Sequence, residues 1–186
     1  MSRIYPEAVL VHDCWKAHFQ TMVKEHQLCT AHLERETKYM EERYKVTWPV
    51  RFRAMLRRAH KLKKQFTSTD YFYPNHPRDL FERELDNLLS EPLEPKHKEM
   101  IAFQKRITRY RDHVFTFLYH PDVPPDDIGS ERAIRNVKVK QKISGQFKIL
   151  SAAENFVILR SIIDTAIKNN QNVLQALNVI ADYKRN

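Results

Sequence analysis

Only two glycines, Gly129 and Gly145, occur in 186 residues. A glycine-rich phosphate loop or a dinucleotide fingerprint needs several glycines close together. Both architectures are therefore excluded before any pattern is read. What remains is a chain whose elements are set by apolar periodicity and punctuated by proline. The length is enough for one domain, or one core with an insertion.

Ala8–His12 is a short apolar run, β-branched at Val9 and Val11, and reads as a buried strand. Asp13 sits just past its end. Trp15, Phe19, Met22 and Val23 follow at helical spacing, and His26–Cys29 reads as a second short strand. From Thr30, Leu33, Met40 and Tyr44 mark one face of a helix. Strand–helix–strand–helix order predicts part of an α/β sheet.

Composition shifts near Trp48. Pro49 suits a first helical turn, and Phe52, Met55, Leu56, Ala59 and Phe66 form an apolar stripe. A polar linker, Thr67–Pro77, precedes a helix through Leu80, Phe81, Leu85, Leu88 and Leu89. After Pro92 and Pro95, the residues Met100, Phe103, Ile107, Tyr110, Val114 and Phe117 predict one long helix. A proline-rich loop, His120–Pro125, leads to a helix carrying Glu131. Asp126, Asp127 or Ser130 can cap it. Val137, Val139 and Ile143 alternate as in a strand, so its end is open. Two closing helices follow, one through Ala152, Phe156, Leu159, Ile163 and Ala166, the other capped by Asn172. The fold class expected is α+β, predominantly helical, with domains at 1–46, 47–119 and 120–186.

Charge narrows the partners. The net charge is +9 and the pI about 9.6, which suits a polyanion. The helix 51–64 carries Arg51, Arg53, Arg57, Arg58, Lys61, Lys63 and Lys64, with no acid from Val46 through Thr69. It reads either as a solvated face or as a phosphate-binding face without sequence readout. Glu131 opens a second basic run, Arg132, Arg135, Lys138, Lys140, Lys142 and Lys148. Two cysteines, Cys14 and Cys29, fit a reducing cytoplasm rather than a disulfide scaffold. The N-terminus has too short an apolar run for a signal peptide, and no membrane span is expected.

Asp13 and Glu131 each follow a break between elements, where a carboxylate can reach a cleft. Two-metal phosphoryl transfer uses such acids. The competing roles are helix capping for Asp13 and a first-turn, dipole-favoured acid for Glu131. His26-x2-Cys29-x2-His32 offers zinc-type ligands, with Cys14 or His18 to complete four. The spacing is loose, and a buried, hydrogen-bonded histidine with a packed cysteine fits it better than zinc does.

Together, VLVHDCWKAHF, HQLCTAHLERE and PPDDIGSERAIRNVKVKQKISGQF resemble the insertion sequence 66 family of DDE transposases, from about Tyr5 onward. The resemblance implies a ribonuclease-H-like core with a helical insertion. It implies three acids that bind two Mg²⁺ ions for DNA cleavage and strand transfer. Asp13 matches the second acid and Glu131 the third. Cys29 and His32 match a supporting C-x2-H signature, and Arg132 and Arg135 the E-R-x-x-R after the third acid. No counterpart of the first acid precedes Asp13, nor do the family's N-terminal zinc-binding and terminal-repeat-binding regions. Asp127 and Ile128 stand where the family has paired asparagines, and Lys148-Ile149 where it has Arg-Ser. The expectation is a C-terminal transposase fragment, bacterial, cytoplasmic and nucleoid-associated, inactive alone. Its expected partners are DNA and either itself or the full-length enzyme. The alternatives are a non-catalytic DNA-binding or inhibitory module, and a decayed relic.

Overall fold

A computed structural model describes residues 4–72, 77–145 and 147–183. The chain divides into two compact units, Met1–Ile128 and Gly129–Asn186. It is mostly helical, with a two-stranded parallel sheet.

In the first unit, β1 (Ile4–His12) pairs with β2 (Met22–Leu28). The partners Leu10–His26, Val11–Gln27 and His12–Leu28 are in register, and the register shifts between Tyr5 and Val9. Pro6 lies in that interval; it has no N–H to donate, so the ladder is weakest there. The helix expected over Trp15–Val23 does not form. Met22 and Val23 pair with Ile4 and Tyr5 instead, leaving room for one 3-10 turn at His18–Gln20. Phe19, which suggested a helix, packs flat on Tyr110 at 4.0 Å between ring centres.

α1 (Thr30–Tyr44) buries Thr30, Leu33, Thr37 and Met40 at three- and four-residue spacing. It stops at Lys45, whose φ of 54° is left-handed. α2 (Trp48–Gln65) has Pro49 in its first turn and buries Phe52, Met55, Leu56 and Ala59. α3 (Arg78–Ser90) turns Leu85 and Leu88 inward, and the Trp48 indole N–H donates to the Leu88 carbonyl at 3.0 Å. The linker before α3 contains a 3-10 turn, Ser68–Phe72; its residues 73–76 lie outside those described. α4 (Lys98–Arg109) buries Met100, Phe103 and Ile107. These side chains join Leu28, Leu33 and Met40 in one apolar cluster, so sheet and helices share a core. Each large side chain buried there stabilises the fold by about 1.5–3 kcal/mol.

The long helix expected from Met100 to Phe117 ends at Arg109. The Tyr110 N–H is shared between the Arg106 and Ile107 carbonyls, a tightened last turn. Two 3-10 turns follow, Arg111–His113 and Thr116–Leu118. Val114 and Phe117 keep their apolar spacing and are fully buried, but the sheet captures this backbone. Gln27, itself wholly buried, accepts from the Phe117 N–H at 2.7 Å and donates to the Val114 carbonyl at 2.9 Å. Thr116 Oγ1 donates to the His26 carbonyl at 2.7 Å.

The other unit holds most of α5 (Ile128–Ser144), with α6 (Leu150–Lys168) and α7 (Val173–Tyr183). The alternation at Val137, Val139 and Ile143 lies within a continuous helix. Asn172 Oδ1 accepts from the N–H groups of Leu174 and Gln175, the cap expected for α7. Leu150, Ile158, Leu159, Leu174 and Val179 are exposed, giving this unit an apolar surface.

Candidate functional site

Asp13 stands at the carboxyl end of β1, half exposed. Such strand ends are where open parallel sheets gather their ligands. Its Oδ1 accepts from the Trp15 N–H at 3.3 Å and lies 3.4 Å from His18 Nδ1. Both contacts fold the carboxylate back over the turn that follows. Beneath it is a histidine cluster with no counterpart in the sequence reading. His12 is 2 % exposed, and its Nδ1 donates to the Asp13 carbonyl. Burial lowers the His12 pKa, so Nε2 is the bare acceptor and His26 Nδ1 donates to it at 3.1 Å. Burial and the neighbouring His12 and His113 lower His26 to about 4. His113 is also lowered, mainly by burial.

His26 thus belongs to this cluster. Cys29 and His32 instead converge with Asp127, which spacing could not pair with them. Cys29 is 1 % exposed and N-caps α1. Its thiol donates to Asp127 Oδ1 at 2.9 Å. The same oxygen lies 3.8 Å from His32 Nδ1. Burial, then the Asp127 bond, push the Cys29 thiol up to about 11. Thr30 fixes the loop that supplies Asp127: its N–H and its hydroxyl both donate to the Pro125 carbonyl, at 3.0 and 2.8 Å. The hydroxyl in turn lies 2.9 Å from His60 Nε2. Cys14 is half-buried and is not part of this group.

Asp126 Oδ1 accepts from the N–H of Ile128, the first residue of α5, at 3.2 Å. Glu131 is half-buried in that helix's first turn, in the second unit. Arg132, Arg135, Lys138 and Lys142 are exposed, three or four residues apart, and so line one side of α5. Lys140 falls on the opposite side and is half-buried.

The basic helix α2 is less free than its sequence suggests. Arg51 forks onto Glu91, Arg57 reaches Glu34 at 3.2 Å, Arg58 meets Glu84, and Arg53 meets Glu41. The acids missing from the helix come from α1, α3 and the residue after α3. Arg53 is only 9 % exposed. Lys63 donates to the carbonyls of Phe117, His120 and Pro121, and burial lowers its pKa. Both cations are built into the fold. Lys61 and Lys64 are exposed. Arg51, Arg57 and Arg58 sit in surface pairs, which are worth about 0–1 kcal/mol and yield readily to a phosphate.

Among the described residues no helix is long and apolar enough to cross a membrane. A family model described as "Transposase IS66 family" matches residues 2–155. No curated protein and no solved structure matches the chain.

Proposed function

This chain belongs to the transposase IS66 family, and we infer that it grips DNA for a Mg²⁺-dependent strand-transfer enzyme while holding two of its three acids. The observation that carries the DNA-binding part is the exposed cationic row Arg132, Arg135, Lys138 and Lys142 on α5, which begins beside Glu131. Side chains spaced along one helix face meet successive phosphates without reading bases.

Asp13 suits a hard cation. It is a half-exposed carboxylate at a strand end, and its Oδ1 is engaged by Trp15 and His18. Asp13 and Glu131 would each serve as a Mg²⁺ ligand, and the ion would supply activation of the attacking oxygen and stabilisation of the leaving one. The residues of this chain hold the carboxylates and the phosphate backbone. His18 braces Asp13, the capped start of α5 presents Glu131, and Arg132 and Arg135 neutralise the strand beside it. The parallel pair β1–β2 then corresponds to part of a ribonuclease-H-like sheet. With two acids, these 186 residues do not cleave DNA on their own. The apolar surface of the second unit supports association with another copy or with the full-length enzyme.

Four phosphate contacts give a salt slope of about −3.6, so affinity for a short duplex falls roughly 150-fold between 50 and 200 mM salt. Arg135→Glu with Lys138→Glu shrinks both the affinity and the slope. A salt-independent affinity, or no binding at 50 mM, refutes the DNA-binding assignment. Mg²⁺-dependent cleavage by the purified chain, abolished by Asp13→Ala, refutes its inactivity alone.

A further inference from the structure

The side chains of Cys29, His32 and Asp127 bring one sulfur, one ring nitrogen and one carboxylate oxygen within 4.8 Å of one another. The sulfur–oxygen distance is 2.9 Å and the nitrogen–oxygen distance 3.8 Å. A tetrahedral zinc ion, with bonds of about 2.3 Å to sulfur and about 2.1 Å to nitrogen and oxygen, requires separations of about 3.6 and about 3.4 Å. The sulfur–oxygen pair opens by about 0.7 Å and the nitrogen–oxygen pair closes by about 0.4 Å to become a ligand set, while sulfur and nitrogen, within 4.8 Å of each other, close toward about 3.6 Å. We propose that Cys29, His32 and Asp127 form a zinc site that pins the start of α1 to the loop leading into the Glu131 helix.

The ligands come from two segments 98 residues apart in sequence, and both segments are already held in place by the paired bonds of Thr30 to Pro125. The donor set mixes a soft sulfur with imidazole and carboxylate, which selects zinc over magnesium or calcium. The Nδ1 of His32 is itself buried, while the side chains of His32 and Asp127 keep 27 % and 19 % exposure, so the trio lies just beneath the surface, where a water would complete the fourth position. On binding, Zn²⁺ takes the place of the thiol proton, which leaves to solvent, and sulfur binds as thiolate. The Asp127 oxygen that accepted the thiol hydrogen now bonds the metal.

The test uses the full chain, purified metal-free, with Zn²⁺ in a competition titration and Co²⁺ as a spectroscopic probe. The wild-type chain is expected to give a thiolate-to-cobalt charge-transfer band that Zn²⁺ displaces. Cys29→Ser removes the band. Asp127→Asn keeps an acceptor for the thiol, so the metal-free fold persists while zinc affinity drops at least tenfold, the lower bound seen even for outer-shell partners. Cys14→Ser and His26→Ala leave band and affinity unchanged. A cation held by His12, Asp13 and His18, which also converge, gives no thiolate band and is indifferent to Cys29→Ser. The proposal is overturned if no thiolate band appears, if the band survives Cys29→Ser, if Cys14→Ser abolishes it, or if Asp127→Asn binds zinc as the wild type does.

Discussion

The Gln27 amide is one of the points at which the sheet and the helical block are joined by polar bonds, and its removal is open to direct measurement. In Gln27→Leu the side chain keeps nearly the same volume, so the cavity term is small. Three backbone groups lose a bond. They are the Phe117 N–H and the carbonyls of Val114 and Leu28, all in buried residues. A buried polar group left unsatisfied costs about 1–3 kcal/mol. The sum is about 3–9 kcal/mol, and the added apolar contact returns part of it, leaving a loss of about 4 kcal/mol. At roughly 2–4 °C per kcal/mol, the melting temperature falls by about 8–16 °C. The only tryptophans are Trp15 and Trp48, both in the first unit, so urea unfolding followed by tryptophan fluorescence reads this unit and not the helices beyond Gly129. Thr116→Val, which removes one bond to the His26 carbonyl, is the smaller companion at about 1 kcal/mol. A Gln27→Leu protein within 0.5 kcal/mol of wild type (about the scatter of an ordinary surface substitution) would refute the assignment of Gln27 as the clamp.

Further outcomes follow from the same geometry. His26 has a native pKa of about 4 against an unfolded value of 6.5, so the native state binds fewer protons between these limits. Stability is therefore full above pH 6.5 and lost as pH falls toward 4, with lowered His12 and His113 acting in the same direction. Urea midpoints at pH 7.5 and 4.5 should differ less in His26→Gln than in wild type; an equal difference contradicts the cluster. Lys63→Met strips three carbonyls of their donor and should destabilise the first unit by about 1–3 kcal/mol in the same fluorescence assay. Lys64→Met, at an exposed position, should leave stability unchanged and weaken duplex binding at low salt; the reverse ranking of the two lysines would remove α2 from the DNA-binding surface.

The helices whose apolar residues recur every three or four positions were legible from sequence because each buries one stripe, as Leu33 and Met40 do in α1 and Phe52, Met55, Leu56 and Ala59 in α2. The same signal misled where tertiary bonds overrode it. Tyr110, Val114 and Phe117 continue the spacing of α4, yet Gln27 and Thr116 hold that backbone in 3-10 turns. Met22 and Val23 extended an apparent helix but were taken by the strand pairing. Charge was misleading for a related reason. The absence of acids within 46–69 is a property of one segment, whereas neutralisation is a property of neighbours. Glu34, Glu41 and Glu84 reach α2 from α1 and α3.

The candidate sites divide along the same line. Asp13 and the pair Cys29 and His32 could be singled out because each sits at an element boundary within a short recognisable run. Asp127 was legible only as a possible cap of α5, because its partners lie 98 residues away. Its charge has a chemical consequence. An asparagine at position 127 can accept the Cys29 hydrogen bond, but it brings no charge to balance a divalent ion. The aspartate does both. Its negative charge also lies by the first turn of α1, where the helix dipole favours an anion. The acid at 127 therefore brings to the Cys29–His32 pair the charge that a divalent ion needs, and zinc affinity measured for Asp127→Asn tests that contribution.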